Sequence, residues 1–164
     1  MIGLETERLH FRQWEKSDFK AFSAFYAKEE NAHFVGGVKS LEESYRLMAS
    51  YIGHHVLHGF TFPAIVEKKS NQLIGTVGLW NSEPWPEPEL GYWLIPDFHG
   101  KGYGTEAGLA VKAYALDELR LPTLVSHINA KNTPSKKLAL RLGATFDTTI
   151  ELLDFGKHEV YRYW

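Results

Sequence analysis

The sequence predicts an α+β protein in which helices pack on one mixed β-sheet. Three observations carry this. Apolar residues recur at helical spacing in four stretches, and they alternate or form β-branched and aromatic runs in seven others. The order is one strand, two helices, three strands, then helix, strand, helix and two strands. The 164 residues show no repeat, no low-complexity tract and no linker-like shift in composition, so residues 1–164 are expected to form one domain. A chain of that length buries roughly two-thirds of its unfolded surface without disulfides or metals.

Each element has a local reason. Leu9 and Phe11 alternate with Arg8, His10 and Arg12, the period of a half-buried strand. Ser17-Asp18 opens a helix whose stripe is Phe19, Phe22, Phe25 and Tyr26. Ser40-Leu41-Glu42-Glu43 is a capping box for a second helix, striped by Leu41, Tyr45, Met48, Ile52 and Val56 and stopped at Gly59. Residues 60–67 and 73–80 read as a hairpin, and three prolines between Asn81 and Pro88 make a loop. Leu90 to Ile95 is a third strand of this group, ended by Pro96. A helix containing Leu109, Val111, Ala113 and Leu116 follows, and Thr123 to Ile128 is a short strand. Asn132-Thr133-Pro134 starts the last helix, with proline expected at its first position, and Gly143 ends it. Strands at about 144–153 and 157–164 close the chain around Asp154-Phe155-Gly156.

Composition narrows the function. Hydrophobic residues make up 44% and charged residues 23%, values of an ordinary globular protein. No apolar run approaches the ~20 residues of a membrane span, and charges near Met1 argue against a signal peptide. With no cysteine there is no disulfide, thiolate metal site or cysteine nucleophile, which is compatible with a cytoplasmic location. A net charge of −2 without a basic run argues against direct nucleic-acid binding. Five Trp, eight Tyr and ten Phe suit a bulky core first and an aromatic pocket second.

The most informative stretch runs from Tyr92 to Ala107. A strand enters His99-Gly100-Lys101-Gly102-Tyr103-Gly104 and passes straight into a helix. Free amides and the helix dipole at such a start form an anion site suited to phosphate, and glycines let the backbone close on it. Glycines for tightness alone also make such turns, but three at alternate positions favour phosphate. A nucleotide P-loop needs Lys followed by Ser or Thr, whereas Lys101 precedes Gly102. A dinucleotide fold needs an acidic residue about 20 positions on, and 123–130 contains none.

This loop resembles the acyl-CoA pyrophosphate loop of the GNAT superfamily of N-acyltransferases, Gln/Arg-x-x-Gly-x-Gly/Ala. The Rim-type subgroup, the ribosomal-protein N-terminal acetyltransferases and their relatives, is the most similar. Thr6-Glu7-Arg8-Leu9-x-x-Arg12 resembles its usual start, Glu89 to Leu94 its strand before the loop, and Asn132-x-x-Ser135 with Leu138 and Leu142-Gly143-Ala144 its second cofactor segment. His99 departs from the pattern, standing where Gln or Arg is usual. The resemblance spans essentially the whole chain. It implies a GNAT-like fold: a twisted, mostly antiparallel sheet of about seven strands with helices on both faces.

It also implies a chemistry: a primary amine attacks the thioester of acetyl-CoA directly, without an acyl-enzyme. On this reading Leu94 and Ile95 lend backbone groups to the pantetheine arm. His99, Gly100, Lys101, Gly102, Tyr103, Gly104 and Thr105 surround the pyrophosphate, and Asn132 bonds the cofactor arm while capping its helix. Glu89 matches the subgroup's acidic position, as base through a water or as anchor for the ammonium; an ordinary solvated carboxylate is the competing account. Ser135 matches a serine that protonates the departing thiolate, and Tyr161 and Tyr163 stand in reserve for that role. Trp80, Trp85 and Glu87 would form an aromatic, acidic rim for a cationic acceptor. His54 and His58 share a helix face, but with no acidic third ligand nearby no metal is expected. The acceptor would be a protein N-terminus or a small amine, and the subgroup's habit implies a homodimer. A non-catalytic acyl-CoA sensor is the alternative.

Overall fold

A computed structural model describes residues 1–164. Seven strands form one sheet: β1 (Leu9–Arg12), β2 (Ala64–Glu67), β3 (Gln72–Trp80), β4 (Glu89–Leu94), β5 (Val125–Ile128), β6 (Thr145–Glu151) and β7 (Lys157–Arg162). Their spatial order is β1-β2-β3-β4-β5-β7-β6. Every neighbouring pair is antiparallel except β4 and β5. That parallel junction has a single register pair, Glu89 opposite Val125. Beyond it the two strands part.

Helices cover both faces. α1 (Phe19–Tyr26), the four-residue α2 (Glu29–Ala32) and α3 (Leu41–His58) lie on one side, and α4 (Tyr103–Asp117) and α5 (Thr133–Arg141) on the other. No helix is long and apolar enough to cross a membrane. Most of the aromatic surplus lies in the core under α1 and α3. There Trp93 of β4 stacks on Phe25 at 4.1 Å between centroids and meets Phe22 and Tyr26 edge-on. The opposite core joins Leu9, Phe11, Ile74, Val77, Leu79 and Leu90 to Tyr103, Ala107, Val111 and Ala115 of α4.

Two expectations need correction. The capping box at Ser40 and the left-handed stop at Gly59 frame α3 as expected, but the stripe between them is rotated. Leu41, Tyr45 and Val56 are 69%, 61% and 78% exposed, while Ser44, Met48, Tyr51 and His54 face the core. The reason is polar docking, which hydrophobic periodicity does not register. Thr61 Oγ1 donates to the Tyr51 carbonyl, and His54 Nδ1 donates to the Phe60 carbonyl while its Nε2 accepts the Asn81 amide. Burial holds the His54 imidazole below its ordinary range, keeping it neutral for that pairing. With both ring nitrogens engaged, and the ring stacked on Trp80 at 4.1 Å, His54 is a strut and not a ligand. The second correction is small: Pro134 is the second residue of α5, after Thr133.

The rotated face makes a direct prediction. Met48→Ala should cost about 2–5 kcal/mol in urea unfolding, whereas Val56→Ser should stay within about 0.5 kcal/mol. The reverse ranking would restore the stripe read from periodicity.

Candidate active site

The site is built on the parting of β4 from β5. Ile95 N–H bonds the Ile74 carbonyl of β3, so by strand alternation the peptide groups of Tyr92 and Leu94 face the opposite way, toward β5. Three bonds close the top of the wedge. Val125 N–H donates to the Pro88 carbonyl, His127 N–H to Glu89 Oε1 at 3.2 Å, and Ser126 Oγ to the Leu90 carbonyl at 2.5 Å. Two of these span the opening with a side chain where a regular ladder would use backbone. Of the two residues expected to offer backbone groups, Leu94 faces the wedge and Ile95 has its amide committed to β3.

At the foot of β4 the chain turns through Pro96–Phe98 into the glycine loop. Gly100 and Gly102 have φ of +72° and +84°, conformations that a side chain resists. The amides of Gly100, Lys101 and Gly102 make no hydrogen bond within the protein. Those of Tyr103, Gly104 and Thr105 belong to the first turn of α4, which offers them no intrahelical partner. Six consecutive N–H groups and a helix dipole thus gather at one end of the wedge, a cradle suited to a diphosphate. His99 folds back, its Nε2 2.8 Å from the Leu94 carbonyl, so its ring braces the loop against β4.

Arg8 holds this loop from outside. Its Nη1 donates to the Lys101 carbonyl at 2.9 Å, its Nε to Glu106 Oε2 at 2.6 Å, and its guanidinium lies 4.4 Å from the Tyr103 ring centroid. Glu106 also accepts from Thr6 Oγ1 and the Arg8 amide. Burial alone would raise its carboxyl; the hydrogen bonds from Thr6 and Arg8 reverse the sign and hold it below the ordinary range. The Thr6-Glu7-Arg8-Leu9 segment therefore tethers the chain's start to the glycine loop. A Cβ on Gly102 would stand 3.3 Å from Arg8 Nη2, so substitution there strains this brace as well as the backbone.

Near the top of the wedge, polar side chains divide between the two faces of the sheet. Alternation sets Glu89 on the face of Trp93, and Val125 and His127 share that face. Glu89 is 13% exposed in its side chain; Oε2 accepts from Trp85 Nε1 at 2.8 Å and lies 3.4 Å from His127 Nδ1. Trp85 in turn packs edge-on against His127 and Phe155. On the other face, Tyr92 Oη donates to the Ser135 carbonyl and sits 3.0 Å from Ser135 Oγ, while Tyr163 Oη sits 3.0 Å from Ser126 Oγ. Burial drives Tyr92 far above the ordinary phenol range and pushes Tyr163 up to about 12, so both hydroxyls keep their protons. Asn132 Oδ1 accepts the Ser135 amide at 3.2 Å, capping α5.

The remaining expected residues have other partners. Glu87 forms a forked pair with Arg162 at 2.7 and 2.9 Å and accepts from Thr123; those bonds hold it below the ordinary carboxylate range. Its carboxylate is committed within the protein, to an Arg162 that Asp147 shares. Trp80 stacks between His54 and Phe62 and donates to Ser82. Tyr161 donates to Glu159, which is paired with Lys136, away from the wedge. Tyr92, Ser126 and His127 escaped the sequence reading, although strand parity offered a signal. Residues three apart, such as Glu89 and Tyr92, must project from opposite faces.

Comparison with known proteins agrees with this architecture. The chain matches the GNAT acetyltransferase domain family over residues 8–145. It is 26% identical over 144 residues to the uncharacterized N-acetyltransferase YoaA of Bacillus subtilis (strain 168), covering 85% of this chain and 81% of the relative. The crystal structure of an acetyltransferase from Agrobacterium tumefaciens str. C58 superposes with a TM-score of 0.91 at 32% identity, covering 100% of this chain and 95% of the other. RimL, a ribosomal L7/L12 alpha-N-protein acetyltransferase solved in complex with coenzyme A, shares the fold with a TM-score of 0.79 at 20% identity, covering 99% and 97%. Rim-type enzymes are thus one group among several structural neighbours. A strand wedge ending in a glycine cradle, on a chain matched over most of its length, has one family to answer to: this protein is a member of the GNAT acetyltransferases.

Proposed function

We propose that residues 1–164 form one acyl-CoA N-acyltransferase domain that moves an acetyl group from acetyl-CoA to a primary amine by direct attack in a ternary complex. The carrying observation is the wedge between β4 and β5, lined by outward-facing peptide groups and ending at the amides of Gly100 to Thr105. Those amides suit the pyrophosphate, and the wedge-facing peptide groups of Tyr92 together with the Leu94 N–H, whose carbonyl His99 already holds, suit the amides of the pantetheine arm. The thioester would then reach the top of the wedge, bringing an activated acetyl group between the two sets of polar residues.

The division between faces supports a direct displacement. An amine arriving on the Glu89 face would meet a carboxylate able to hold its ammonium or to receive its proton through water. The thiolate would leave on the other face, where Ser135 Oγ is 3.0 Å from Tyr92 Oη and could be reprotonated through it. Orientation of two bound reactants supplies the rest. The acceptor is a protein N-terminal amine or a small-molecule amine. RimL is named for a protein N-terminus, and the surface beside Trp85, where Phe155 is exposed, is compatible with either class.

Thiol release from acetyl-CoA in the presence of a panel of amines and N-terminal peptides tests the reading. Turnover with at least one acceptor supports it, and CoA binding without turnover across the panel would leave an acyl-CoA sensor. Given an accepted amine, Glu89→Gln should lower kcat by about 10²-fold, the scale of a disabled acid–base step. The KM for acetyl-CoA should stay unchanged. A raised amine KM with kcat intact would make Glu89 an electrostatic anchor only. Ser135→Ala should cost less, since a CoA thiolate leaves tolerably without a proton donor.

The brace predicts a separate effect. Arg8→Ala should weaken CoA binding by about tenfold, or 1.4 kcal/mol, and spare kcat at saturating acetyl-CoA. Titration calorimetry with CoA and steady-state kinetics together check this. Unchanged affinity would detach the Thr6–Arg8 segment from cofactor binding.

A further inference from the structure

We infer that His127 is the group that takes the amine's proton, and that Glu89 is the positioning residue that orients it. This rests on the transferase reading above and assigns the base within it.

The two side chains differ in what they have left to offer. The Glu89 carboxylate accepts Trp85 Nε1–H on one oxygen and the His127 amide on the other, with the His127 ring beside the first. Each carboxylate oxygen is thus already held by one protein donor, with Trp85 against the oxygen that faces the ring. The His127 imidazole is the reverse case. Its side chain is 1% exposed, and its Nδ1 is buried with no hydrogen-bond partner. Glu89 Oε2 lies 3.4 Å from that nitrogen, close enough for a small movement to complete a hydrogen bond. Nε2 makes no protein hydrogen bond and is not among the sealed polar atoms, so it is the point at which the ring meets its surroundings.

A carboxylate at Nδ1 selects the tautomer with the proton on that nitrogen and leaves the Nε2 lone pair free. It also stabilises the imidazolium formed when Nε2 receives a proton, the division of labour used by acid–base histidines on unrelated folds. Imidazole as a class titrates near neutrality, which suits a general base at ordinary pH better than a carboxylate does. The charged groups facing the ring are Glu89 from β4, Glu87 from the loop before it and Arg162 from β7. Arg162 is shared between Glu87 and Asp147 of β6, so it has no charge to spare for Glu89, whose oxygens meet no Lys or Arg.

The step balances. Nε2 takes one proton from the ammonium; the lone pair so freed forms the C–N bond to the thioester carbonyl carbon. The C–S bond breaks with its electron pair on sulfur. The proton remaining in excess on the new amide nitrogen reaches solvent, the thiolate is protonated from the Ser135 face, and His127 discharges to solvent. One proton is released per turnover, as amine acetylation from an ammonium requires.

The test uses the full chain, acetyl-CoA and one accepted amine. His127→Gln should keep CoA affinity within about twofold, lose about 10²-fold or more in kcat, and lose the acid limb of the kcat/KM profile against pH. Added imidazole should restore activity to His127→Gly in a saturable manner. Glu89→Gln should retain an acid limb, because His127 is still present. A His127→Gln enzyme with the parent's kcat and acid limb would overturn the assignment and return the base to Glu89. So would a His127→Gln enzyme of low kcat whose acid limb persists. If His127→Gly does not fold, the pH profile of His127→Gln alone decides. No turnover by the parent chain with any amine would overturn the transferase reading itself, and this inference with it.

Discussion

A single register pair holds the two halves of the sheet together at their parallel junction. Glu89 opposes Val125, and beyond them β4 and β5 diverge. Buried backbone donors and acceptors must be satisfied, so a sheet can open in this way only if something replaces the missing ladder. Here side chains share that work: Ser126 Oγ takes the Leu90 carbonyl and the Glu89 carboxylate takes the His127 amide. Nearer the glycine loop, peptide groups of β4 are left facing the wedge for a ligand. The wedge proposed for the cofactor is therefore an interruption of secondary structure, stabilised at its top by Ser126 and Glu89.

The rest of the molecule keeps that interruption from closing or spreading. Trp93, centred in the aromatic core under α1 and α3, pins β4 from one face, and the α4 core pins it through Leu90 from the other. Arg8 and Glu106 fix the start of α4, so the amide cradle lies at a set distance from the junction. Parity along the strands separates the polar side chains: Glu89 and His127 project from one face, Tyr92 and Ser126 from the other, so in the proposed transfer the two sets would not compete for space.

Much of this was legible in the sequence. The element order, the capping box at Ser40 and the Gly100–Gly104 run predicted the sheet, the helices and the cradle, because each is written in local spacing. The orientation of α3 was not, since His54 and the Tyr51 carbonyl are docked by bonds to Phe60, Asn81 and Thr61 that an apolar count passes over. Glu87 and Trp80 looked like a free rim; only tertiary structure brings Arg162 to the first and His54 to the second. His127 was invisible for a similar reason. One histidine on a short apolar strand carries no signal until β5 is laid beside β4.

The central claim is that the open β4–β5 wedge and the glycine amides form one continuous binding surface. Amide hydrogen exchange with and without CoA tests it most directly. Bound CoA should slow exchange at Tyr92, Leu94 and residues 100–105 together, with the α3 surface unchanged. Protection confined to other regions, such as the polar groove around Glu5, His10, Arg12 and Lys68, or protection of the loop without β4, would contradict the account.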